Sequence, residues 1–89
     1  MNINDVTLIC KALSDKKRVQ IVQMIAKEEK CAADILDEFD ITQPTMSHHM
    51  KVLCDCGIVN CVKKGKWSQY SINWNRFKEF TAFLTDIAI

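Results

Sequence analysis

Residues 40–57 read Asp40-Ile41-Thr42-Gln43-Pro44-Thr45-Met46-Ser47-His48-His49-Met50-Lys51-Val52-Leu53-Cys54-Asp55-Cys56-Gly57. Thr42 is a good helix N-cap, because its hydroxyl can accept an N–H that a first turn leaves without a partner. Pro44 falls in that first turn, where a missing N–H costs nothing. Gly57 supplies the stop. At 100° per residue, Met46, Met50 and Leu53 fall within about 60° of one another and form the side that anchors this helix to a core. The opposite side carries Pro44, Thr45, His48, Lys51 and Asp55, with Gln43 and Ser47 at the N-terminal and flanking positions. Side chains of this kind reach base edges and phosphates in a major groove, and the N-terminal end of such a helix is the part that enters it. The orphan N–H groups there also favour a nearby phosphate. The bland alternative for the same residues is a solvated polar face.

The flanking sequence decides between the two. Upstream, Ala32 to Phe39 reads as a short helix with Ile35, Leu36 and Phe39 apolar. Asp40 follows it, where a positive φ is often wanted and Asp tolerates one. Asp40-Ile41-Thr42 then makes a helix-turn-helix over about residues 32–56. Downstream, Ile58–Val62 and Trp67–Ile72 are strand-like runs around Lys63-Lys64-Gly65-Lys66, a hairpin signal that predicts a wing over about 58–72. Lysines at such a tip can blunt a sheet edge. Behind a helix-turn-helix, Lys63, Lys64 and Lys66 are what a wing needs to lie along a phosphate backbone.

Toward the N-terminus, Ile3, Val6, Cys10 and Leu13 form the stripe of an amphipathic helix over about 3–13. Ser14 reads as the N-cap of a second helix from about Asp15 to Lys27, with Val19, Val22, Ile25 and Ala26 inward. Lys27-Glu28-Glu29-Lys30 reads as the loop after it. A last helix spans about 75–87. Its Phe77, Phe80, Phe83, Leu84 and Ile87 make an apolar side too broad for a small core to cover. The expected fold is mainly α with a β-hairpin wing, ordered α-α-α-α-β-β-α: a single winged helix-turn-helix domain over 1–89.

Composition sets the limits. A domain of 89 residues buries only roughly 60–65% of its unfolded surface, which favours stabilisation by dimerisation. No apolar run approaches the roughly 18–20 residues of a membrane span, and Met1 to Asp5 has no signal-peptide pattern, so a cytoplasmic location is expected. The five cysteines, Cys10, Cys31, Cys54, Cys56 and Cys61, are an odd number without a disulfide framework. A net charge of +1 counts against a nucleic-acid binder, but its distribution does not. Glu28, Glu29, Asp34, Asp37, Glu38 and Asp40 face only Lys30 in one segment, while Lys51, Lys63, Lys64 and Lys66 face only Asp55 in the next. A near-neutral chain of this kind can present a basic face. With no glycine-rich phosphate loop, no paired carboxylates in an apolar setting and no nucleophile–His arrangement, an enzyme is not expected.

The stretch from Ala12 to Ile72 resembles the ArsR/SmtB family of bacterial repressors. Ala12-Leu13-Ser14-Asp15 with Arg18 is similar to its second-helix signature, and Gln43 to Leu53 to its recognition helix. Gly57-Ile58-Val59, Lys63-Lys64-Gly65-Lys66-Trp67 and Tyr70-Ser71-Ile72 are similar to its wing. Lys16-Lys17 replaces a usual Pro-Thr, and Asp40 a usual glycine. The resemblance implies a homodimer through the first and last helices and repression relieved by an inducer or by thiol modification. It leads to the expectation of a homodimeric repressor on an inverted-repeat operator in double-stranded DNA. Gln43, Thr45, Ser47, His48, His49 and Lys51 would serve groove and phosphate, with His49 packing or bonding at the flank instead. Lys63, Lys64 and Lys66 would hold backbone.

Metal-sensing members carry Cys-x-Cys-Asp where this chain has Cys31-Ala32-Ala33-Asp34, and Asp and His residues along a last helix that here holds only Glu79 and Asp86. Neither pattern is complete, so no metal or other cofactor is expected. Cys10 and Cys31 from another subunit could supply two ligands, and a tetrahedral thiolate site needs three or four. His48 and His49 are about 100° apart and do not chelate together. Among the thiols, Cys56 reads as a small core residue and Cys54 as the better candidate for an exposed redox thiol, though the negative dipole at its helix end would raise its pKa and reduce its reactivity. Four regulatory alternatives stay open: a thiol- or metal-responsive repressor using Cys10 and Cys31 or Cys54, control by a small inducer, control by a protein antagonist, and control by the repressor's own level. A winged-helix protein-interaction module that does not bind DNA is the reading from a different class.

Overall fold

The computed structural model describes residues 1–88; Ile89, the last residue of the expected domain, lies outside the described residues. The elements are α1 (Ile3–Ala12), α2 (Lys16–Lys27), β1 (Lys30–Cys31), α3 (Ala32–Glu38), α4 (Gln43–Asp55), β2 (Val59–Lys64), β3 (Trp67–Ile72) and α5 (Trp74–Ala88). This is a winged helix-turn-helix. Helices α2, α3 and α4 pack around the inner side of a small antiparallel sheet ordered β1-β3-β2, and α1 and α5 lie outside that unit.

The ends of α4 follow from its sequence. The Thr42 hydroxyl accepts from the Thr45 N–H at 3.3 Å, and Pro44 occupies the first turn. Gly57 has φ +87° and its N–H donates to the Cys54 carbonyl. A side chain there would need a left-handed backbone and would also meet the Arg76 side chain at 3.0 Å. The hairpin closes on Gly65-Lys66, with Gly65 at φ +64° and Lys64 opposite Trp67. Its inner residues Val59, Tyr70 and Ile72 join Ile58 under α4.

Four local expectations need correction. Ser14 does not cap α2. The Asp15 carboxylate does, accepting from the Lys17 and Arg18 N–H groups at 2.9 and 3.2 Å, while the Ser14 hydroxyl donates back to the Lys11 carbonyl. The carboxylate acts from the residue directly before the helix, where both N–H groups are within reach. Asp40 has no positive φ; α3 ends with Phe39 in extended backbone, so no left-handed turn is required. Residues 27–30 are not all loop, because Lys30 and Cys31 pair with Tyr70 and Gln69 as a third strand. The fourth concerns which faces turn inward.

In α1 the buried residues are Val6, Ile9 and Ala12, leaving Ile3 and Cys10 exposed and Leu13 partly buried. In α2 they are Ile21, Val22 and Ile25, while Val19 and Ala26 are exposed. Both helices carry two overlapping apolar stripes, and packing against the other helices turns the one with Ile9 in α1, and with Ile21 and Ile25 in α2, inward. Large apolar groups stay in solvent on the outer helices: Ile3 and Leu8 on α1, and Trp74, Leu84 and Ile87 on α5. A salt bridge between Arg76 and Asp5 at 3.3 Å joins these two helices.

Candidate nucleic-acid interface

Helix α4 is divided lengthwise. Met46, His49, Met50 and Leu53 are buried, whereas Gln43, Thr45, Ser47, His48 and Lys51 are exposed. Five of the six helix residues expected at DNA therefore lie together on the open side. His49 does not. It is only 7% exposed, with its Nδ1 3.2 Å from a terminal nitrogen of Arg18. A guanidinium only donates, so Nδ1 accepts and the ring is neutral with its proton on Nε2. Burial is the main force pushing the His49 pKa down, and the Arg18 charge adds to it against the opposing pull of Asp15.

Arg18 is the organiser that a search for exposed polar residues overlooks. Its Nε donates to the Ala12 carbonyl at 2.6 Å and a terminal nitrogen donates to the Lys11 carbonyl at 3.3 Å. One side chain thereby ties the end of α1 to the inner side of α4. The visible signal was its place in the Ala12–Arg18 string; its partner was not visible, because His49 is 31 positions away.

On the open side, Thr45 accepts a hydrogen bond from the Thr42 hydroxyl at 2.9 Å, which fixes its orientation while its own proton stays available. His48 lies beside His49 with ring centroids 6.2 Å apart, yet points outward. Lys51 is not a free cation: its ammonium lies 2.9 Å from Asp55, one helical turn on. The carboxylate raises the Lys51 pKa and offsets the charge it presents. Lys63, Lys64 and Lys66 are all exposed, and none is in an ion pair among the described residues. As neighbours in a strand, Lys63 and Lys64 point to opposite faces of the hairpin.

The thiols differ from expectation in exposure, not in the direction of the Cys54 pKa. Cys54 is half-buried rather than open, and desolvation pushes its pKa up to about 11, with Cys61 and Asp55 contributing. A thiol in that state is a poor nucleophile. Cys56 is buried, donates to the Leu53 carbonyl at 3.2 Å, and packs as the small core residue it resembled. The exposed thiols are Cys10 and Cys61. Cys31 donates from both its N–H and its Sγ to the Asp34 carboxylate, at 3.3 and 3.2 Å, and these bonds lower the Asp34 pKa. Among the described residues, no three His, Cys, Asp or Glu side chains converge as metal ligands within the chain. No helix there is long and apolar enough to cross a membrane.

The family model described as "Bacterial regulatory protein, arsR family" matches residues 15–60, which run from the cap of α2 through α4 into the wing. The chain belongs to the arsR family. The family is one of transcription regulators and not of enzymes. This arsR-family chain is 40% identical over 73 residues to an arsenical resistance operon repressor of Staphylococcus xylosus, covering 82% of this chain and 70% of that one. It is 36% identical over 80 residues to an uncharacterised helix-turn-helix transcriptional regulator of Methanocaldococcus jannaschii, covering 89% and 90%. Among solved structures, an ArsR-like transcriptional regulator from Rhodococcus sp. RHA1 superimposes with a TM-score of 0.85 at 21% identity, covering 96% of this chain and 80% of that one. A homodimeric winged helix-turn-helix DNA-binding domain from Mycobacterium bovis gives 0.78 at 24%, covering 97% and 80%. These two likenesses speak for the fold alone.

Proposed function

We propose that the chain is a cytoplasmic transcriptional repressor that binds an inverted-repeat operator as a homodimer, with α4 in the major groove and the wing on the backbone. The observation that carries this reading is the open face of α4. Gln43, Thr45, Ser47 and His48 offer short and medium hydrogen-bonding groups there, on a helix whose opposite side is locked into the core. A rigidly held helix with a polar free edge is what base readout requires. The hairpin that borders α4 through Cys61, Trp67 and Tyr70 carries exposed Lys63, Lys64 and Lys66, none in an ion pair among the described residues.

Dimerisation through α1 and α5 is supported by their exposed apolar groups, Ile3, Leu8, Trp74, Leu84 and Ile87. A small monomer does not ordinarily leave so many large apolar side chains in water, and a second copy would cover them. Repression, rather than another form of regulation, is the role that the Staphylococcus xylosus relative is named for.

Footprinting the DNA upstream of the protein's own gene tests the reading. Two symmetric protected half-sites are expected, with centres about 34–36 Å apart. No protection above that on random DNA would overturn it. A protein-binding module without DNA activity has one observation on its side, the net charge of +1. The same footprint separates the two.

A further inference from the structure

A helix lying in a major groove has a phosphodiester strand on each side of it, because the groove is bounded by both backbones. The wing can serve only one of them. Successive residues of α4 show which element borders each flank. Thr45 and Ser47 are two positions apart, so they point about 160° away from each other around the helix. Ser47 borders a shallow cleft shared with Cys61 and Tyr70 of the hairpin. Thr45 borders a different cleft, shared with Asp15, Lys16, Lys17 and Gln20 of the start of α2. The reading face of α4 thus has the wing on one side and the first turn of α2 on the other.

We propose that Lys16 and Lys17 form a second phosphate-holding flank, gripping the DNA strand on the side of α4 away from the wing, with Gln20 as an additional amide donor. This rests on the reading of α4 as a groove-binding helix and adds to it contacts that neither the wing nor α4 supplies. The occupant is the phosphate backbone of double-stranded DNA.

Charge complementarity and continuity with the α4 face carry the assignment. Lys30 is spent on Glu28 and Lys51 on Asp55, at 2.8 and 2.9 Å. Lys16 and Lys17 are exposed, and neither has a carboxylate within ion-pair distance among the described residues. The Lys17 ammonium lies 6.0 Å from the Phe39 ring. The one acid in the cleft, Asp15, is already engaged by the Lys17 and Arg18 N–H groups. Those bonds also use the N–H groups of this helix end, so the ammonium groups and not the helix terminus provide the anion seat. A basic pair here also explains how a chain of net charge +1 presents cations on both sides of its reading helix while its acids gather around α3.

The test is fluorescence anisotropy of the full-length protein on its upstream duplex between 50 and 300 mM salt. It compares wild type with Lys16→Gln/Lys17→Gln, with Lys63→Gln/Lys64→Gln/Lys66→Gln, and with Lys27→Gln. Lys27 is an exposed lysine at the far end of α2, about 16 Å from the proposed seat. Each phosphate left without its lysine lowers the steepness of the log–log salt dependence by roughly 0.9. The Lys16/Lys17 variant is therefore expected to lose nearly two units per protomer, with weaker binding to every sequence and an unchanged preference for the operator. The Lys27 variant is expected to keep the wild-type slope. An unchanged slope in the Lys16/Lys17 variant, with a reduced slope in the wing variant, overturns the second flank and leaves the parent reading standing. A loss on Lys27→Gln equal to that per lysine in the Lys16/Lys17 variant, about half its total, overturns it in favour of a general charge effect. Wild-type protein that binds no duplex overturns both.

Discussion

The two sides of α4 share thirteen residues and differ in what a substitution can cost. The inner side is Met46, His49, Met50 and Leu53, closed in by the core and by Arg18. The outer side is Gln43, Thr45, Ser47, His48 and Lys51, all exposed, with Gln43, Thr45, Ser47 and Lys51 bordering clefts shared with neighbouring elements. Inner residues hold the helix still and carry no information about DNA; outer residues carry that information and contribute little to stability. Substitution on the two sides should separate cleanly into unfolding and loss of binding.

Leu53→Ala should give the largest effect. Leu53 is fully buried, and emptying such a site costs about 2–5 kcal/mol, most or all of a small domain's margin. Urea unfolding measures it, and a loss below about 1 kcal/mol would mean that α4 is not anchored as described. Arg18→Ala comes next. It removes the donor to His49 Nδ1 and to the Ala12 carbonyl, which at about 1–3 kcal/mol per unsatisfied buried group should lower stability and loosen α4 together. An Arg18→Ala protein with unaltered stability would show that the tie between α1 and α4 carries no weight.

His48→Ala should do the reverse. Stability should stay within about 0.5 kcal/mol, as for exposed sites generally, while operator affinity falls by about 1–3 kcal/mol with discrimination lost at one base pair of each half-site. Acid titration reports on the buried histidine of the same helix, His49. His49 binds its proton less readily folded than unfolded, so between its two pKa values the unfolded chain holds more protons. Stability should therefore be full above the unfolded His value near 6.5 and fall as the pH drops below it. His49→Gln should flatten that limb of the profile. Lys51→Gln is expected to have the smallest effect on binding, smaller than loss of any wing lysine, because Asp55 already offsets its charge.

What was legible in the sequence follows the same division. The ends of α4 were readable because Thr42, Pro44 and Gly57 act on their own backbone, and the hairpin because Gly65 does the same. Met46, Met50 and Leu53 were readable from helical spacing alone. The inner faces of α1 and α2 were not, since two stripes compete in each and tertiary packing decides between them. The strand at Lys30–Cys31 has two residues, too few for any alternation to register. His49 was ambiguous because its partner is distant in sequence. The Lys51–Asp55 pair was readable at i, i+4 spacing, but both residues counted only as outward-facing. Lys16 and Lys17 stood out as a departure from the family pattern, and only the packing of α2 against α4 gives that departure a consequence.

The most direct measurement of the central claim is the ratio of affinities for the protein's upstream duplex and for a scrambled duplex of the same length, at one salt concentration. A groove-reading α4 predicts a preference of at least about 10³-fold, in the range of specific regulators. Equal affinity for the two duplexes would contradict it, leaving the outer face of α4 a solvated surface.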